Sequence, residues 1–147
     1  MIKKRITYTD YNGEKRVQDF YFNFSEAELI ELNMELPGGL KGYIEKIIQT
    51  KDTAKLAEIF KELLLKSYGE KTEDGLFKKS DAIREKLVFS AAYSELYMGL
   101  INDTDSAIEF VKGLLPANLV SQLPGDFDTK LDGQLAEMGI EQSKPNN

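Results

Sequence analysis

The stretch Phe20-Tyr21-Phe22-Asn23-Phe24-Ser25-Glu26-Ala27-Glu28 changes its hydrophobic rhythm halfway, and that change decides the fold class. Phe20, Phe22 and Phe24 alternate with Tyr21 and Asn23, the period of a strand that carries three rings on one face. Ser25 with Glu28 three residues later is a capping box, in which the hydroxyl takes an orphan amide at a helix start and the carboxylate reaches back. A strand hands over to a helix at Ser25, so the chain mixes the two.

Toward the N-terminus, residues from Ile2 onward are rich in β-branched and aromatic side chains, split by Asp10-Tyr11-Asn12-Gly13. The Asn-Gly step favours the positive φ angles of a tight turn, which predicts a β-hairpin over residues 1–24. Two strands are marginal in water, so the three rings must pack on following helices or on another subunit.

Toward the C-terminus the period becomes helical. A helix from about Glu26 to Leu36 ends at Pro37-Gly38-Gly39, because proline biases Leu36 away from the helical region. Leu40, Tyr43, Ile44, Ile47 and Ile48 recur at steps of three and four, as one buried stripe does. Asp52 and Thr53 are caps for the strongest helix, with Leu56, Ile59, Phe60, Leu63 and Leu64 as the expected centre of the core. Gly69 is expected to close it, and Gly69 to Lys79 reads as a polar loop with a turn at Asp74-Gly75. Ser80 caps a helix to Leu87. Another spans about Ser90 to Ile101, with Phe89, Tyr93, Leu96, Tyr97 and Leu100 on its apolar side. Asp103 or Thr104 opens a last helix lined by Ala107, Ile108, Val111, Leu114 and Leu115, which Pro116 stops. The expected fold is mainly α, with five to six helices packed on a small N-terminal hairpin (α+β). The domain spans 1–118, and the Gly-, Pro- and acid-rich residues 119–147 form a flexible tail that folds on binding.

Composition narrows the function classes. With 147 residues, 41% hydrophobic, the chain suffices for one core. The formal charge of -6 works against a phosphate-neutralising surface, so no nucleic acid is expected as a partner. Neither His nor Cys is present, which closes the commonest acid-base and nucleophilic routes and removes disulfides; the chain is read as non-enzymatic, without cofactor. No apolar run is long enough for a membrane span and no signal-peptide pattern opens the chain, which places it in the cytoplasm.

Two acidic runs approach a calcium loop and miss it. Asn102, Asp103 and Asp105 begin one, but Ile108 occupies the place of the turning glycine. Asp126, Asp128 and Glu137 hold its first, third and twelfth places, but Lys130 puts a cation where an oxygen belongs. No metal is expected.

Three features are candidate partner-binding sites. Phe127, Leu131, Leu135 and Met138 fall at steps of four, four and three, one side of a helix formed against a partner; incidental apolar residues in a frayed end are the competing reading. The hairpin edge invites an added strand from a partner or a second copy, which makes a homo-oligomer an expectation; Lys3, Lys4 and Arg5 would equally protect it. Tyr68, Tyr93 and Tyr97 combine apolar area with polar tips, although helical spacing beside Leu96 and Leu100 also suits a core.

The segment Leu64-Leu65-Lys66-Ser67-Tyr68-Gly69-Glu70-Lys71, then Glu73-Asp74-Gly75 and Phe77-Lys78-Lys79-Ser80, resembles the middle of tail assembly chaperones from long-tailed, siphovirus-type phages of Gram-positive hosts. Ala92-Tyr93-Ser94-Glu95-Leu96-Tyr97-Met98, Asn102-Asp103 and Phe110-Val111-Lys112-Gly113-Leu114-Leu115-Pro116 keep the family's order and approximate spacing. The sequence departs from it at Gly75-Leu76-Phe77, where basic residues commonly precede the aromatic, and at Gly99. The resemblance implies a protein that binds the tape measure protein, keeps it soluble and helps tail-tube subunits, the major tail protein, assemble around it. It further implies action in the host cell cytoplasm, absence from the finished virion, and a frameshifted longer form that shares the N-terminal domain. A structural virion component and a small regulatory adaptor are the rival classes.

Overall fold

The computed structural model describes residues 1–49 and 53–120. Strand β1 (Ile2–Thr9) pairs antiparallel with β2 (Lys15–Phe22), Ile2 opposite Phe22 and Thr9 opposite Lys15. The turn falls on the Asp10-Tyr11-Asn12-Gly13 run, where the Asn-Gly step places it. Asp10 and Glu14 close a three-residue loop, Gly13 alone has positive φ at 84°, and the Asp10 carboxylate accepts from the amides of Asn12 and Glu14. Asp10 thus takes over the local hydrogen bonding, and only Gly13 must adopt the left-handed conformation.

The helices follow as read. They are α1 (Glu26–Glu35), α2 (Gly39–Gln49), α3 (Thr53–Ser67), α4 (Asp81–Phe89), α5 (Ala92–Ile101) and α6 (Thr104–Leu114). Ser25 and Glu28 form the complete capping box; Ser80 caps α4 and Asp103 caps α6 through the amides of Asp105 and Ser106. Leu115, extended before Pro116, ends α6, and a single further turn, α7 (Ala117–Val120), follows it. The side chains of Ile47, Ile48, Thr53 and Leu56, the expected cap Asp52, and residues 121–147 of the expected tail lie outside what is described.

The sequence reading missed half of the sheet. Tyr68–Lys71 is a strand, β3, that pairs with β2 through Tyr21–Gly69 and Phe22–Tyr68, and Phe77–Lys78 is a short β4 folded back on it. The sheet has four strands in the order β1-β2-β3-β4. Gly69 therefore does not close α3. It sits in β3 because the Phe77 ring lies over it, and a β-carbon there would come within 2.6 Å of that ring. The Asp74-Gly75 turn is present, as the loop of this second hairpin, with Thr72 receiving the Gly75 and Leu76 amides.

Helices cover one face of the sheet. Phe22 is fully buried, edge-on to Phe110 with ring centres 5.4 Å apart and tilted against Tyr68 at 5.6 Å. Tyr8, Phe20, Leu64, Leu87, Ala92, Leu96, Leu100 and Leu114 complete this cluster. A second cluster, Ile44, Ile59, Phe60, Ala107, Ile108 and Val111, joins α2, α3 and α6, with Leu63 and Tyr97 touching both. Helix α3 is central, as its stripe predicts. Phe89 is not on the core side: Ser90 breaks the helix with extended ψ of 144°, rotating Phe89 outward to 74% exposure.

Candidate partner-binding surface

The helix that the capping box opens carries the exposed apolar surface. Its N-terminus is tied to the end of the sheet by Lys79, whose ammonium donates to Glu28 at 2.7 Å and to the Asn23 carbonyl at 2.6 Å, and lies 4.8 Å over the Phe24 ring. Burial works to raise the Glu28 carboxyl; hydrogen bonds from Lys79 and Ser25 outweigh it and hold the group below its usual value. Burial pulls the Lys79 ammonium down, partly offset by Glu28. At the other end of α1, Asn33 accepts the Leu40 amide at 2.9 Å and fixes the turn into α2.

Between these ties α1 is apolar on two sides, and none of its residues is fully buried. Leu29, Leu32 and Leu36 face Leu40, Tyr43, Leu63 and Leu114 around an apolar cavity of about 30 Å³, the inner packing of the helix. Ile30 and Met34, one turn apart, are 61% and 78% exposed. They border a groove of about 450 Å³ with Leu29 and Asn33 of α1, Leu40 and Lys41 of α2, and Pro116. A helix covered on one side ordinarily turns polar residues to water, so a second apolar row needs another occupant or another reason. Glu26 and Lys41 place one charge of each sign at the rim.

The residues singled out by sequence fall elsewhere. Tyr68 is 5% exposed, its ring against Phe20 and Phe22, and burial pushes its phenol up to about 12. Tyr93 and Tyr97 are half-buried and stacked, with centres 5.9 Å apart; the Tyr97 hydroxyl donates to the Ala57 carbonyl at 2.8 Å. They are not brought together with Ile30 and Met34. Phe127, Leu131, Leu135 and Met138 lie outside the described residues. Ile30 and Met34 escaped sequence reading, although Ala27, Ile30 and Met34 at steps of three and four beside Leu29, Leu32 and Leu36 form a legible second stripe. Asp103 spends its carboxylate on the α6 amides and Ser106, which accounts for the calcium-like run at 102–105. Among the described residues no three acidic side chains converge as a metal site, and no helix is long and apolar enough to cross a membrane.

Fold and surface together define a small α+β module that presents an apolar groove along α1. The family model described as phage tail assembly chaperone matches residues 1–146, and the chain belongs to that family. Comparison with curated proteins and with solved structures returned no match. Membership gives the protein a chaperone role in tail assembly and implies binding of phage tail proteins.

Proposed function

We propose that this chain binds the tape measure protein of its phage, keeps it soluble, and yields it to the major tail protein as the tube assembles. The observation that carries this is the apolar row Ile30 and Met34 on the α1 groove, in a member of a tail assembly chaperone family. A tape measure exposes long apolar helical stripes until the tube covers them, and a groove bordered by a helix offers such a stripe a place to lie. The charge of -6 keeps the complex in solution. In this reading the protein acts in the host cytoplasm, in a long-tailed phage of a Gram-positive host. It is absent from the virion and shares its fold with a frameshifted longer form.

Burying what Ile30 and Met34 still expose is worth about 1–2 kcal/mol apiece. Ile30→Glu with Met34→Glu should therefore weaken the complex by roughly a hundredfold, with the far-UV spectrum and melting midpoint unchanged. Co-expression is the assay: tape measure protein should stay in the supernatant with the wild type and pellet with the variant. Full solubilisation by the variant would rule out this surface, and pelleting with the wild type would rule out the function. Stoichiometric presence in purified virions would make the chain a structural component instead.

A further inference from the structure

Strand β1 ends the sheet, so one side of its eight-residue backbone has no strand beside it among the described residues. Under that edge lies a cleft of about 480 Å³, bounded by Lys4 and Ile6 of β1 and by Met98, Gly99 and Asn102, with Leu96 and Phe110 deeper. In a sheet covered on one face, this is the space that the inward side chains of the next strand would occupy. Gly99 adds an independent sign. It sits inside α5, where glycine is unfavourable, and a β-carbon there would meet nothing within 4 Å, so no described neighbour requires it. Gly99 thus leaves the wall of the cleft open at this point.

The chain carries a segment of matching pattern. In Asp126-Phe127-Asp128-Thr129-Lys130-Leu131-Asp132, Phe127, Thr129 and Leu131 alternate strictly with charged residues, and Pro124-Gly125 and Gly133 bound the run. β1 carries Lys3, Lys4 and Arg5 without an acid; the segment carries three Asp and one Lys. Ile2 abuts α6 at Gly113, which sets the end of α6 beside β1. From Val120, where α7 ends, the chain to Asp126 spans roughly 20 Å when extended.

We propose that residues 126–132 add to β1 as a fifth strand, with Phe127, Thr129 and Leu131 filling the cleft beside Gly99. Asp126, Asp128 and Asp132 then lie on the outer face with Lys3 and Arg5, where opposite charges on neighbouring strands attract. This proposal rests on the sheet edge and is independent of the tape measure reading.

The absence of cysteine makes cross-linking clean in the full chain. Lys4→Cys is combined in turn with Phe127→Cys, Thr129→Cys and Leu131→Cys, and oxidised at low concentration. Hydrogen exchange of β1 is compared between the wild type and Phe127→Asp with Leu131→Asp. The expected result is an intramolecular disulfide in at least one pair, and at least tenfold faster exchange of β1 amides in the double variant while the α3 amides hold their rates. Disulfides found only between chains would assign the edge to a second copy and overturn the proposal. So would preferential cross-linking of the same segment to Met34→Cys, or unchanged β1 exchange with no disulfide. None of these readouts involves the tape measure protein, so either reading can fail alone.

Discussion

Tyr93 and Tyr97 stack face to face, 4° from parallel, yet their hydroxyls are treated oppositely. That of Tyr97 donates to Ala57 across to α3, whereas that of Tyr93 is buried with no hydrogen-bond partner among the described residues. A buried hydroxyl without a partner costs about 1–3 kcal/mol, and a made hydrogen bond contributes about 1 kcal/mol. Tyr93→Phe should therefore stabilise the fold by about 1 kcal/mol and Tyr97→Phe destabilise it by about the same, read from urea midpoints at constant slope. Shifts of the same sign would refute this assignment. Sequence spacing put both rings on the apolar side of α5 but could not divide their hydroxyls, because the Ala57 carbonyl is 40 residues away.

At the scale of elements, what could be read from the sequence was what is held locally. The capping box, the Ser80 and Asp103 caps and the α3 stripe form within one or two turns, and each is where spacing placed it. Tyr68-Gly69-Glu70-Lys71 is too short for an alternation to show, and its glycine imitates a helix stop. Its strand exists because β2 offers Tyr21 and Phe22 as partners, a fact about residues nearly 50 positions away. The apolar groove is not a property of α1 alone: Leu40 and Lys41 of α2 and Pro116 complete it, and their approach to Ile30 and Met34 is set by tertiary packing. Gly69→Ala tests the strand: its β-carbon would press on the Phe77 ring and, at 2.9 Å, on the Lys78 carbonyl. A loss of about 1–3 kcal/mol is expected, measured by thermal unfolding. A neutral effect would mean that β4 does not lie across Gly69.

For the molecule as a whole, the carboxylates with lowered pKa set the response to acid. Asp10 is held down by hydrogen bonds from Arg16 and the Glu14 amide, Asp19 by Arg5, and Glu28 by Lys79 and Ser25 against its burial. Each ionises more readily in the fold than in the open chain. The stability they supply is complete above the ordinary carboxylate range near about 4 and disappears as pH falls through their lower folded values. With no histidine present, no side chain of ordinary pKa titrates between pH 6 and 8. Melting midpoints followed by circular dichroism should be level from pH 8 to 6 and fall below about pH 4.5. A slope across neutrality would show that another group governs stability.

Phe22 packs edge-on against Phe110, so the first hairpin gains its cover from nearly the last helix described. On a ribosome adding about 5–20 residues per second, Phe20 and Phe22 emerge on the order of 4–20 s before the side chain that closes over them. For that interval the nascent hairpin shows the cell three bare rings, those of Phe20, Phe22 and Phe24. A protein whose family shelters others during tail construction thus spends its own synthesis in need of shelter.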